Sequence, residues 1–340
     1  ACSAALTACH AARRALQLGE CVTGLASGVN LMLAPAVGTS FAVAGMTSPM
    51  GRCHTFDARA DGYARGEACC TVALHAEVTA GARALARGSA VRQDGRSASL
   101  TAPNGQAQQG LLQASLSDAG ADAAELSCSE AHGTGTALGD PIEVGSLSVV
   151  LLRSTGAPLA LGSSKANVGH AEPTAGMTGL LRLQLQLEHA HATPNAQLRV
   201  LNPHVGPALS GLACSLPRQL SATAGGLRAG GVGSFGYSGT IVHAALQSDL
   251  QFKAAAGASR LPHGLHRAVL TRRRSIHWLN TKELVKSVLS SEQRCAASAK
   301  AQALLDKAIS TFENTSIPGT ATVGIVGAGF AGLLAACRLH

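Results

Sequence analysis

The run Glu130-Ala131-His132-Gly133-Thr134-Gly135-Thr136 sets a histidine among glycines and threonines, and Lys165-Ala166-Asn167-Val168-Gly169-His170 repeats the combination further along. Glycines flank a side chain in this way where loop backbone has to come close to a ligand. A lone histidine in such a loop is weak grounds for a site. Two of them, with a cysteine at a helix start and a third glycine-rich run, Ser234-Phe235-Gly236-Tyr237-Ser238-Gly239-Thr240, form a more specific set. On either side of these loops, residues 1 to about 246 alternate short apolar runs, glycine-rich turns and Ala/Leu-rich segments. That texture predicts a mixed α/β layered domain, with Thr240-Ile241-Val242-His243-Ala244-Ala245-Leu246 as its closing strand.

The cysteine of the set is Cys2. Ala1-Cys2-Ser3-Ala4-Ala5-Leu6 opens an Ala-rich helix that ends near Gly19, and its small residues on most faces predict close packing all round. A thiol at a helix N-terminus is expected to have its pKa lowered, because unpaired backbone N–H groups and the helix dipole favour the thiolate. From position alone, Cys2 reads sooner as a small buried apolar side chain, the common state of a free cysteine.

Charge separates the chain into two parts. The net charge is +8, but residues 1 to 250 hold fifteen Lys/Arg against fifteen Asp/Glu, whereas residues 251 to 340 hold twelve against four. All the excess therefore lies in the tail. With 3% aromatic residues there is little for bases to stack on, so Arg272-Arg273-Arg274 reads as a solvated linker and not as a nucleic-acid site. No run approaches the ~20 apolar residues of a membrane span, and no signal peptide is evident. The ten cysteines are scattered without a regular framework, which suits reduced thiols in a cytoplasmic protein. Thirteen histidines make no pairing with the spacing of a metal site, so no metal is expected.

In this sequence the three loops stand among further runs in a fixed order: Ser27-Gly28-Val29-Asn30, Ala44-Gly45-Met46-Thr47-Ser48-Pro49, Phe56-Asp57-Ala58-Arg59-Ala60-Asp61-Gly62-Tyr63, Gln93-Asp94-Gly95-Arg96, Leu100-Thr101-Ala102-Pro103-Asn104-Gly105 and Gly139-Asp140-Pro141-Ile142-Glu143. Together they resemble the ketosynthases of type I polyketide and fatty-acid synthases, members of the thiolase-like condensing enzymes. The resemblance runs to about residue 246. It implies a β-ketoacyl synthase, an acyltransferase that performs decarboxylative Claisen condensation, with Cys2, His132, His170 and Lys165 catalytic. It also implies that Thr134 and Thr136 hold a phosphopantetheine arm, that Tyr237 contributes an oxyanion N–H and a gate beside the acyl pocket, that an acyl carrier protein is the partner, and that the complete protein is a homodimer. The ketosynthase part is expected to need no cofactor of its own.

Several positions depart from the family pattern: Ala68-Cys69 follows Gly66-Glu67 where glycine is usual, Ile241 stands where asparagine is usual, and Ser3-Ala4-Ala5 replaces a serine run. The family also has a long segment before its nucleophile, so the domain at 1–250 is expected to lack its N-terminal part, and residues 1 to 340 alone are expected not to condense acyl groups. A non-catalytic ketosynthase-like scaffold, or a piece of a flavin-dependent oxidoreductase fusion, are the alternatives.

Residues 251–318 read as a basic linker with helical segments, and 319–340 as the start of a dinucleotide-binding domain. There Thr322-Val323-Gly324-Ile325-Val326 reads as a buried strand, followed by Gly327-Ala328-Gly329-Phe330-Ala331-Gly332 and an Ala/Leu-rich helix start. That turn resembles the opening of flavin-dependent monooxygenases, which implies FAD or NAD(P) on Gly327, Gly329 and Gly332.

Overall fold

A computed structural model describes residues 1–79, 82–96, 102–152, 157–222 and 229–248, together with the backbone of three short strands at 268–271, 322–324 and 336–338. All of these fall within one unit, residues 1–272 with 321–339. Small side chains let the first helix, α1 (Ala4–Gln17), sink into it: Ala4, Ala5, Leu6, Ala8, Cys9 and Leu16 are buried, and only the later turns show an outward face at Ala11 and Arg14. Packing is therefore close on most sides and not on all.

β1 (Thr23–Asn30) pairs antiparallel with β2 (Ala68–His75), and between them lies α2 (Pro35–Val43), which buries none of its residues. β3 (Ala82–Gln93) leads to α3 (Gly105–Ala119), whose N-cap Asn104 accepts the backbone N–H groups of Gln106 and Ala107. Then follow β4 (Cys128–Glu130), α4 (Gly139–Val150), β5 (Leu159–Gly162), the single turn α5 (Lys165–Val168) and α6 (Ala175–His189). β6 (His191–Ala192), α7 (Gly206–Leu209), β7 (Cys214–Ser215), β8 (Ser221–Ala222), β9 (Ala229–Phe235) and β10 (Thr240–Gln247) complete the domain, with β6 and β8 forming a small separate sheet.

Nine strands make the main sheet in the order β1-β2-β11-β3-β10-β9-β4-β5-β7, where β11 is Ala268–Thr271. β10 is a strand as expected, but it lies inside the sheet, antiparallel to both β3 and β9. The parallel part, β9-β4-β5-β7, carries the loops that hold His132 and His170. Side-chain alternation along the strands divides the core into two faces. Val242, Ala244 and Leu246 pack with Leu6, Met177, Leu180, Leu183 and Leu187 under α1 and α6. On the other face His243 bonds Ser115 of α3 at 2.9 Å, and Leu112, Val144, Leu147 and Leu161 form the second cluster. Met177, Leu180, Leu183 and Leu187 fall three or four residues apart, which is why α6 buries one stripe. Ile241, where the family pattern has asparagine, is fully buried in β10.

Among the described residues no helix is long and apolar enough to cross a membrane. β11 comes from the segment read as a basic linker; the helical segments expected there lie outside the described residues. β12 (Thr322–Gly324) is a strand as expected, but it pairs antiparallel with β13 (Ala336–Arg338), where the dinucleotide reading has a helix. A parallel neighbour for β12 needs a crossover of a dozen or more residues, whereas an antiparallel one is available locally. Gly327, Gly329 and Gly332 lie outside the described residues.

Candidate active site

Cys2 sits ahead of α1, buried at 8% exposure, with its carbonyl accepting the Ser234 hydroxyl at 2.9 Å. The Ala4 N–H turns back to the Ala1 carbonyl, so part of the helix N-terminus is already satisfied. The sequence predicts a lowered thiol pKa here, and the structure reverses that. Burial pushes the thiol up to about 11; Lys165 and the Tyr237 N–H, which donates to the sulfur, pull it down by less, and Glu172 opposes them. Desolvation of a thiolate outweighs the partial charges of a helix end.

His132 lies on the loop from β4 to α4. Its backbone N–H and that of Gly133 both donate to the Glu143 carboxylate, at 2.6 and 2.8 Å. Asp140, one turn earlier on α4, accepts from Gly135 and Phe56 at 3.0 and 2.8 Å. Two buried carboxylates in the first turns of one helix therefore hold the histidine loop by its backbone. Gly133 and Gly135 have φ of +45° and +77°, and a Cβ on them would lie 2.7 Å from the Ser163 Cβ and the His54 nitrogen respectively. The turn has to be glycine at both. Burial raises the Glu143 carboxyl to about 7 and that of Asp140 to about 6, against the pull of the donated N–H groups.

His170 follows α5. Its N–H donates to the Ala64 carbonyl at 2.7 Å and its carbonyl accepts from Gly66 at 2.8 Å, which pins the residue to the strand-like segment before β2. Tyr63 meets the ring edge-on at 4.9 Å, and the His132 ring stands nearly perpendicular to it at 5.4 Å. Both imidazoles are held well below their usual pKa, first by burial and then by Lys165. Both are neutral at pH 7, and the Nδ1 atom of each is buried without a partner. Lys165 is 3% exposed, and burial lowers its own pKa against the opposing pull of Glu130 and Glu143.

Cys2, His132, His170, Thr134, Thr136 and Tyr237 line one cavity of about 340 Å³. The sequence assigned each of them to a common site. Lys165 does not line it and acts on the group from behind. The Thr134 and Thr136 hydroxyls bond each other at 3.1 Å, and Thr136 also accepts the Gly139 N–H, so both serve the loop as well as the cavity. Tyr237 is half exposed at the mouth. Sequence reasoning left Tyr63, Phe235 and Glu143 without roles. Phe235 packs 5.5 Å from His132. Glu143 had a usable signal, an acid one turn into a helix that begins with Asp-Pro directly after the histidine loop. Among the described residues no group of three or more His, Cys, Asp or Glu is placed to hold a metal ion.

Residues 1–80 match the beta-ketoacyl synthase N-terminal domain and residues 83–199 the beta-ketoacyl synthase C-terminal domain. A phenolphthiocerol/phthiocerol polyketide synthase of Mycobacterium tuberculosis is 42% identical over 270 residues, 77% of this chain and 14% of that protein. Erythronolide synthase EryA2 of Saccharopolyspora erythraea is 38% identical over 268 residues, 77% of this chain and 8% of that protein. Among solved structures, a ketosynthase domain of the bacillaene synthase from Bacillus subtilis is 32% identical with a TM-score of 0.68, over 74% of this chain and 47% of that one. The oxazolomycin ketosynthase domain OzmH KS7 of Streptomyces albus is 35% identical with a TM-score of 0.69, over 73% and 45%. The chain thus spans a small fraction of these curated relatives and a little under half of the solved ketosynthases.

Proposed function

The chain belongs to the beta-ketoacyl synthase family, and from that membership and the geometry of the cavity we propose that it catalyses decarboxylative condensation of acyl thioesters in polyketide synthesis. The observation that carries the proposal is the convergence of Cys2, His132 and His170 on one cavity with Lys165 buried behind them.

In this reading the Cys2 sulfur attacks the carbonyl of an acyl group delivered on a carrier-protein thioester. The C–S bond to the carrier breaks, the carrier thiol leaves with the proton, and the acyl group stays on Cys2. The backbone N–H groups of Cys2 and Tyr237 stabilise the oxyanion. A malonyl-type thioester then enters between Thr134, Thr136 and the histidines. Its C–CO2 bond breaks, the electron pair remains as an enolate, and neutral His132 and His170 donate hydrogen bonds to the enolate oxygen. The enolate carbon attacks the acyl carbonyl and Cys2 leaves as thiolate, which takes up a proton. With Nδ1 unpartnered in both rings, each imidazole can present Nε2–H as its donor. No C–H proton is abstracted, so no strong base is required. The ketosynthase part needs no cofactor beyond the arm that carries the substrate, and the acyl carrier protein is its partner.

Incubation with an acyl thioester followed by mass spectrometry should place the acyl group on Cys2. Labelling that persists undiminished in Cys2→Ala overturns the assignment.

A further inference from the structure

We propose that Asp94 and Gln108 form a second subsite of the same cavity, one that takes a hydrogen-bond donor, an N–H or O–H, of the thioester substrate. The inference rests on the condensation reading, and it concerns two sequence runs, Gln93 to Arg96 and Leu100 to Gly105 with the helix that follows, to which that reading gives no work.

Both residues line the cavity. Gln108 is 1% exposed on α3, and its Oε1 is buried without a hydrogen-bond partner; the Oδ1 of Asp94 is buried and unpartnered too. These are acceptor atoms, and a carboxylate or amide oxygen can be satisfied only by a donor. A buried oxygen left without one costs about as much as a lost hydrogen bond, so folded proteins keep few of them away from sites of function.

The surrounding loop does not need these oxygens for its own support. The Asp94 N–H donates to the Gly239 carbonyl at 2.8 Å, the Asn104 side chain donates to the Asp94 carbonyl at 2.9 Å, and the Asn104 backbone N–H already donates to the Asp94 carboxylate. Among the described residues, none donates to either oxygen.

Charge points the same way. Among the described residues, the acidic side chains lining the cavity are Asp61, Asp94 and Glu143, and no Lys or Arg lines it. Glu143 is occupied by two backbone N–H groups. At the unpartnered oxygens of Asp94 and Gln108 a hydroxyl or an amide N–H finds an acceptor. Two parts of a carrier-bound substrate offer that chemistry: the amide N–H groups of a pantetheine arm, and a hydroxyl on the acyl chain.

The test is competition for acylation of Cys2, read by mass spectrometry, with two matched pairs. One pair is β-hydroxybutyryl against butyryl N-acetylcysteamine thioester. The other is butyryl pantetheine, with its second amide, against butyryl N-acetylcysteamine. A hydroxyl-binding subsite favours the first compound of the first pair by about tenfold, and an arm-binding subsite favours pantetheine by about tenfold, the scale of one hydrogen bond. In Gln108→Met, which keeps the volume and removes the acceptor, the preference should fall to about one, and in Gln108→Glu, which keeps an acceptor, it should persist. The wild-type preferences stand independently of how the variants fold. No preference in either pair, or a preference that survives Gln108→Met, overturns the subsite while leaving the condensation reading intact. No acylation of Cys2 by any of the thioesters overturns that reading itself.

Discussion

Replacing Glu143 by Gln tests the claim that a buried carboxylate holds the histidine loop. Burial raises this carboxyl from its ordinary 4.5 to about 7, although two N–H groups donate to it. The folded state therefore binds the proton more tightly than the unfolded chain does. Between pH 4.5 and 7 the folded protein holds more protons, so stability falls as pH rises through that window and levels off above it; the group contributes a loss of about 3 kcal/mol across it. Gln cannot titrate, so E143Q lacks this slope. It should carry a constant penalty instead, because its amide NH2 must face one of the two backbone N–H groups at 2.6 and 2.8 Å, and an unsatisfied buried donor costs about 1–3 kcal/mol. E143Q should thus be less stable than wild type at pH 4.5, and the deficit should shrink by about 3 kcal/mol by pH 7. Urea unfolding followed by far-UV circular dichroism at pH steps from 4.5 to 8 measures this. Carboxylates remote from Glu143 titrate alike in both proteins and drop out of the difference, whereas Asp140, whose charge raises Glu143, contributes through that coupling. Two stability curves that run parallel across the window refute the argument.

Lys165→Met removes the ammonium that pulls down the Cys2 thiol and both imidazoles, so alkylation of Cys2 by iodoacetamide at pH 8 should slow by roughly threefold or more. An unchanged rate-pH profile contradicts that electrostatic role. Gly133→Ala puts a Cβ 2.7 Å from the Ser163 Cβ at a φ of +45° and should cost at least ~2 kcal/mol of stability, read from its urea midpoint; a midpoint equal to wild type shows the loop to be more yielding than described. His132→Ala and His170→Ala should each slow CO2 release from a malonyl thioester by about 100-fold, while Cys2 acylation changes much less. Equal losses in the two steps would contradict the division of labour.

The candidate site was legible mainly through the family resemblance, which short, glycine-bounded runs carry without knowledge of the fold. The two histidine loops, the helix-start cysteine and the Ser234 to Thr240 turn all reach one cavity. What sequence missed depends on long-range packing. The sign of the Cys2 shift follows from how completely distant elements cover the thiol, which the local helix-end argument omits. Tyr63 touches His170 only because the chain returns more than a hundred residues later. β10 reads as a strand from its own residues, and β9 is its neighbour across a short turn, but β3 on its other side comes from far away in sequence. The Ala268–Thr271 strand was read as linker, since a four-residue strand in a basic context has no periodicity to announce it.

The most direct test of the account is the condensation itself: supply the complete protein, of which residues 1 to 340 alone are expected not to condense, with an acyl thioester and a carboxyl-labelled malonyl thioester, and measure released CO2 and β-ketoacyl product together. The account predicts one CO2 for each β-ketoacyl thioester formed, with both lost in Cys2→Ala. Product formed without CO2 release, or at the same rate in Cys2→Ala, would contradict it.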